Sequence, residues 1–342
     1  MFTFYKRILI IAAPILFLII GVNYFGDAAK IFHDDYEKQI TKILENGDYV
    51  TNIRNYNERI LQEELVKGKQ KAPDVLVIGS SRTMLIDSSY YKGRSFFNSS
   101  VSAASLQDLI AIYQIYSSFD KLPKKIIIGV DPWTFKENSE RNRWEAISFY
   151  YYDFYGRENQ NNSQHFSQLI SLSYFQASWK SLLSVWGNND KPIATHKFYN
   201  KTNTKLNDGS ISYGEEFRSA SKSKVETRAK EYSVGELIRR YKHYTEMSPE
   251  KIDEFQHFIS HLKQRNIEIE FFLGPYHPIT YEVINENFEI FNEVENFMRD
   301  FSRKHTIKIY GSFNPKKYHL GGEFFFDEKH LTKKGIEKIL RE

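Results

Sequence analysis

Val75-Leu76-Val77-Ile78-Gly79-Ser80-Ser81-Arg82-Thr83 is a short apolar run that opens abruptly into small hydroxyl residues. Four mostly β-branched apolar residues predict a buried strand, and Gly79 breaks it where a helix begins. At the carboxyl end of a strand in an open α/β sheet, such a turn faces the crevice where ligands bind. The helix start that follows presents unpaired N–H groups suited to an oxyanion. A serine at this junction is placed for nucleophilic chemistry, although the same pattern also serves as a structural N-cap or a phosphate-binding turn.

The pattern repeats outward. Ser95-Phe96-Phe97-Asn98 runs into Ser99 to Ser105 and then a helix with Leu106, Leu109, Ile110 and Tyr113 on one face. Lys125-Ile126-Ile127-Ile128-Gly129-Val130-Asp131-Pro132 ends at a proline. Strands separated by helix-length segments predict right-handed parallel crossovers. From Trp133 to about Met247 the rhythm is lost; an aromatic cluster from Trp144 to Tyr155 and an Asp208-Gly209-Ser210 turn mark an irregular insertion beside the active face. It resumes with a helix from Pro249 to about Arg265, a strand over 267–273 ending at Gly274-Pro275-Tyr276-His277, a helix through Val294 and Phe297, and a strand over 307–310. A terminal helix follows Thr332, its expected cap.

Upstream, residues 8–25 are almost uninterruptedly apolar and approach the roughly 20 residues that cross a bilayer core. Lys6 and Arg7 before the run place the N-terminus inside by the positive-inside rule and the rest outside. A retained anchor over 1–29 is the expectation; the rival is a cleaved signal peptide with a small-x-small site at Gly26 and Ala28. Residues 30–72 read as a polar helical stalk, and 73–342 as one α/β domain with the insertion at about 133–247.

Composition excludes several classes. The chain of 342 residues has no cysteine, which removes disulfides, thiol catalysis and Cys-bearing zinc sites. A net charge of +4 with no basic run interleaved with aromatics argues against nucleic acid. Aromatics reach 16%, with 23 tyrosines and 27 phenylalanines; surface tyrosines could stack on sugar rings, although a biased genome explains the same excess. No metal or cofactor is expected.

The base that a nucleophilic Ser81 needs stands at the far end. Asp327 and His330 are three residues apart before the terminal helix. In a tight turn the carboxylate can accept the Nδ1–H and leave Nε2 free to take a proton from serine; alternatively both residues only cap the helix.

Together these motifs resemble the SGNH (GDSL-like) hydrolase family over about residues 73–136 and 250–342. Its Gly-Asp-Ser block is similar to Gly79-Ser80-Ser81, its second block to Asn98-Ser99-Ser100-Val101-Ser102-Ala103, its third to Gly129-Val130-Asp131, and its Asp-x-x-His block to Asp327 and His330. The resemblance implies a three-layer α/β sandwich on a parallel flavodoxin-like sheet, with Ser81, His330 and Asp327 catalytic. It also makes Asn98, Ala103 and Asp131 candidates for the oxyanion region. Ala103 stands where the family has glycine, and Asp131 where it has asparagine. Arg82 and His277 are further binding candidates at strand ends.

With its N-terminal anchor the chain looks like the extracytoplasmic proteins that modify bacterial envelope polymers, similar in kind to the subunit of the teichoic-acid D-alanylation system. The implied activity is that of an acyl esterase or O-acyltransferase working through an acyl-serine on an envelope polysaccharide or polyol polymer. The implied location is the bacterial cytoplasmic membrane, and the acyl donor would be delivered by a multi-spanning membrane acyltransferase. The alternative is a catalytically degenerate member that binds glycan or scaffolds such an acyltransferase. A phosphate-binding loop at Gly79 lacks the lysine and further glycine it would need.

Overall fold

The structure, a computed structural model, describes residues 2–26, 35–137, 142–157, 168–185 and 191–341. Helix α1 (Phe2–Gly26) contains Pro14. Helix α2 (Asp35–Glu45), strand β1 (Tyr49–Thr51) and helix α3 (Glu58–Gly68) precede the strand predicted at the nucleophile, β2 (Val75–Ile78). Then come β3 (Phe96–Asn98), α4 (Leu106–Ser118), β4 (Lys125–Gly129), α5 (Ser148–Phe154), α6 (Leu172–Val185), β5 (Ile193–Thr195), β6 (Thr204–Lys205), β7 (Ile211–Ser212) and α7 (Lys222–Tyr232). The chain ends with α8 (Pro249–Gln264), β8 (Glu268–Leu273), α9 (Pro278–Asn287), α10 (Ile290–His305), β9 (Lys308–Gly311) and α11 (Lys333–Leu340).

The fold is α/β. Five strands form a sheet in the order β3-β2-β4-β8-β9, every neighbouring pair parallel. β2 is apolar throughout, and β4 and β8 carry apolar runs at Ile126–Ile128 and Phe271–Leu273, as expected of strands covered by helices on both faces. Val75 pairs with Phe96 on one side and Lys125 on the other. The strand order reverses beside β2, so the carboxyl ends of β2 and β4 open a crevice at the switch point. Gly79 and Gly129 approach each other there: a Cβ on Gly79 would lie 2.5 Å from the Thr83 hydroxyl and 3.1 Å from the Gly129 Cα. The helix expected after Gly79 does not form: residues 81–85 make a turn instead. Other helix starts follow their sequences. Ser105 and Asp108 make a capping box on α4, and Thr332 caps α11 by accepting the Gly335 N–H.

The segment expected as a stalk is instead part of the core. Ile40, Leu44, Val50, Leu61, Leu65 and Val66 are buried in the main apolar cluster. Arg59 clamps α3 to the start of α4, donating from Nε to Asp108 Oδ1 at 2.8 Å and from Nη2 to Oδ2 at 3.0 Å. In the sequence, an arginine beside an amphipathic stripe reads as solvated; a buried carboxylate forty-nine residues away reverses that reading.

The insertion is also more ordered than its sequence suggests. Strand β1 pairs antiparallel with β5 and β6, and β6 with β7, giving a second sheet in the order β5-β1-β6-β7. The presumed stalk and the insertion therefore build one sheet together. Its strands have two or three residues each, too short to show periodicity.

Among the described residues no helix is long and apolar enough to cross a membrane. Ala28, of the small-x-small site, lies outside the described residues. Leu16, Phe17, Leu18 and Phe25 are exposed on α1, as are Leu172, Trp179 and Leu183 on α6. The two helices pack together, with a Cβ on Gly26 blocked by the Ser178 backbone. Asn23 donates to the Leu169 and Ser171 carbonyls at 2.8 and 3.0 Å.

Candidate active site

The turn after β2 is woven in place by its own hydroxyls. Thr83 Oγ1 donates to the Ser80 carbonyl at 2.9 Å and meets Ser100 Oγ at 2.8 Å. Asn98, at the end of β3, donates from Nδ2 to the Thr83 and Ile86 carbonyls at 2.8 and 2.9 Å, while its Oδ1 accepts the Ser100 N–H. Both N–H donors of this buried amide and one lone pair of its oxygen are thus taken by backbone. Asn98 shapes the turn that presents Ser81.

At the other end, the Asp327 carboxylate accepts the backbone N–H groups of Lys329 and His330 at 3.0 and 2.8 Å, curling the loop tightly. The same carboxylate faces His330 Nδ1 at 2.7 Å through Oδ2 and 3.0 Å through Oδ1. The His277 N–H donates to the Glu328 carbonyl at 2.9 Å, fastening this loop to the end of β8. His330 Nε2 lies 2.8 Å from Ser81 Oγ. With Nδ1 carrying its proton toward Asp327, Nε2 is the acceptor for the Ser81 hydroxyl. The structure thus brings Ser81, His330 and Asp327 into one hydrogen-bonded chain.

Burial opposes the charge on Asp327, but the His330 ring and the hydrogen bonds from ring and backbone outweigh it and hold the carboxyl below its ordinary range. Such a carboxylate stays ionised, fixes the imidazole tautomer and stabilises the ring once it takes a proton.

The oxyanion candidates divide. Asp131 is bound by Arg82, whose Nη1 donates to Oδ1 at 2.9 Å. Arg82 also donates from Nη2 to the Gly274 and Pro275 carbonyls and lies 4.1 Å over the Tyr276 ring. Only 3% exposed, Arg82 knits the ends of β2, β4 and β8 together beneath the crevice, a structural use in place of the substrate contact considered for it. Ala103 sits at φ 55°, in the left-handed region that favours glycine. Among the described residues neither the Ser81 N–H nor the Ala103 N–H donates to a protein acceptor. His277 caps α9 with Nδ1 accepting the Ile279 N–H at 3.2 Å, packs its ring against Phe325, and does not line the cavity at Ser81. Burial lowers its pKa, so it stands neutral in that joint.

Ser81 and His330 open into a cavity of about 320 Å³ whose other walls the sequence did not announce. Tyr56 and Glu58 come from the segment before the sheet, Ser102 from the loop after β3, and Asn203, Lys205, Ile211 and Tyr213 from the insertion. The β6–β7 hairpin is fastened directly to the Ser81 turn. The Ile211 N–H donates to the Met84 carbonyl at 2.9 Å, and the Asp208 carbonyl accepts the Asn98 N–H at 2.8 Å. Tyr213 packs its edge against the His330 ring, with centroids 5.7 Å apart. Ile211 and Tyr213 also wall a second cavity of about 370 Å³ bearing Phe198, Tyr199, Phe326, Arg218 and Lys333. The only sequence sign of this arrangement was the Asp208-Gly209-Ser210 turn, which lies between the strands that carry Lys205 and Ile211.

Comparison with protein-family models finds none that matches the chain, and no curated protein matches it either.

Proposed function

We propose that this chain is a serine esterase or O-acyltransferase of SGNH type, held at the membrane by α1 and acting on an envelope glycan or polyol polymer. The observation that carries the reading is the hydrogen-bonded chain from Ser81 through His330 to Asp327, opening into a cavity. The sheet order, 2-1-3-4-5 when its strands are counted along the chain, is that of flavodoxin-like sheets and supports the family reading.

Ser81 Oγ attacks the acyl carbonyl while His330 Nε2 takes its proton, and Asp327 stabilises the imidazolium. The tetrahedral oxyanion is received by the Ser81 and Ala103 N–H groups, neither of which donates to a protein acceptor among the described residues. Collapse breaks the bond to the leaving alcohol or thiol, which departs with the proton from Nε2 and leaves acyl-Ser81. A hydroxyl of the acceptor, or water, then gives its proton to Nε2 and attacks the acyl carbon, and as the bond to Ser81 Oγ breaks Nε2 returns that proton to the serine oxygen.

The aromatic second cavity suits a sugar ring stacked on Tyr199 or Phe198. The exposed apolar side chains of α1 and its partner α6 support anchoring in a bilayer, which suits an acyl donor delivered by a membrane acyltransferase. The engagement of Asp131 by Arg82 favours, as a second reading, a degenerate scaffold that binds glycan beside that acyltransferase without turnover.

Intact-mass analysis of the detergent-solubilised full chain with activated short-chain acyl esters tests the first reading. An adduct that disappears in Ser81→Ala and in His330→Ala is the expected result. A folded wild-type chain that acquires none across several acyl donors would leave the scaffold.

A further inference from the structure

Lys205 is a buried cation without a counter-ion in contact. It is 4% exposed and lines the cavity that holds Ser81 and His330. Among the described residues its ammonium has no hydrogen-bond or ion-pair partner. Two carboxylates act on it electrostatically, Glu58 and Asp208, and both are engaged elsewhere. Glu58 accepts the Ser102 hydroxyl at 2.8 Å and the Ser102 N–H; Asp208 accepts the Ser88 N–H at 2.9 Å and both the N–H and hydroxyl of Ser210.

A buried charge is expensive to leave uncompensated, and buried cations are ordinarily paired. The backbone around Lys205 gives it no freedom to leave: the residue sits in β6, paired with Val50 on one side and Ile211 on the other. The turn beyond it is pinned to the nucleophile loop. The cavity lies at the small end of the range for ligand sites, so a group at Lys205 and an acyl group at Ser81 belong to the same or directly adjoining portions of substrate.

We infer that Lys205 is the binding site for an anionic group, a phosphate or a carboxylate, on the substrate that Ser81 acylates or deacylates. This rests on the acyl-serine reading for its consequence in turnover, but the anion site itself stands on the geometry of the cavity. Lys205 acts as a positioning and specificity residue. Its three N–H donors meet the anionic oxygens and replace the missing counter-ion, while Ser102 and Asn203 offer polar walls and the Glu58 carboxylate in the same wall is held by Ser102.

Two measurements on the detergent-solubilised full chain test it. In thermal unfolding, inorganic phosphate and succinate at millimolar concentration should raise the midpoint of the wild type and of Lys205→Arg, and leave Lys205→Met unmoved. Equal stabilisation of wild type and Lys205→Met, or none of the wild type, would overturn the site. In turnover, a p-nitrophenyl ester ending in a carboxylate is compared with a neutral ester of equal length. Lys205→Met should lower kcat/KM for the charged ester by roughly tenfold more than for the neutral one, with Lys205→Arg restoring the preference. Equal losses on both esters would refute the assignment. If the wild type turns over neither ester, the acyl-serine reading fails and the thermal measurement alone decides the anion site; phosphate and succinate separate the two kinds of anion.

Discussion

Arg82 Nη1 donates to the Asp131 carboxylate at 2.9 Å, one residue along from Ser81, with both side chains almost fully buried. The pair accounts for an acidic residue at the position where the family that the motifs resemble has asparagine. Its charge balances a guanidinium that holds three strand ends together, and the acid has no free oxygen-binding role to lose. Replacing Asp131 by Asn should therefore destabilise the protein by on the order of 3 kcal/mol, because it leaves Arg82 buried with its charge unbalanced. Urea unfolding measures the loss. An Asp131→Asn variant as stable as wild type, or faster on esters, would show that the acid serves the chemistry and not the scaffold.

Asp327 makes an acid-dependent contribution. Its carboxyl titrates lower in the folded chain than the roughly 3.9 of an unfolded aspartate, so the folded form binds fewer protons. The stability it adds is fully present above about pH 4 and is lost as pH falls through the folded value. The stability gap between wild type and Asp327→Asn should thus be flat at neutral pH and close below about pH 4. Turnover by that variant should drop by about 10³ to 10⁴, since the amide no longer fixes the productive tautomer. Unfolding curves across pH, read beside ester hydrolysis at neutral pH, check both; a gap that widens in acid contradicts the sign.

Burial pushes the Lys205 ammonium down to about 8, against the opposing pull of Glu58 and Asp208. His330, Tyr56 and Tyr213 are the other titratable groups facing that cavity. Lys205 is charged below about pH 8 and neutral above it, so KM for a carboxylate-bearing ester should climb above that pH. In Lys205→Arg, whose guanidinium keeps its charge throughout, KM should stay level. A parallel climb in both proteins would assign the titration to another group.

Gly209 occupies φ 80°, and a Cβ there would lie 2.3 Å from the Asn98 carbonyl oxygen. The close approach lets the insertion's turn dock on β3. Gly209→Ala should lift the β6–β7 hairpin from the nucleophile loop, at a cost above about 1 kcal/mol. The expected sign is faster amide exchange at Ile211 and Asn98, whose N–H groups bond to Met84 and Asp208. Exchange at those two amides as slow as in wild type would mean the turn is held by something other than this contact.

The chain order of the parallel strands, the break at Gly79, the cap at Thr332 and the pairing of Asp327 with His330 were all legible in the sequence. Each is settled within a few residues, by β-branched runs, a missing Cβ, or two side chains three positions apart. What joins Ser81 to His330 spans 249 residues and exists only because the parallel sheet sets their loops at the same edge. The stalk reading failed for the same reason in reverse: the charged face of α3 looked solvated because Asp108, which neutralises Arg59, belongs to another helix. The identity of Asp131 was visible, but its meaning depended on Arg82 turning inward across β4. Lys205 had no sequence signal, since one lysine among many acquires its character only when a two-residue strand buries it beside a nucleophile. Sequence determined where the chain bends and which residue types stand at the bends; the tertiary structure decided which charges found partners, because pairing is a long-range property that local propensity does not encode.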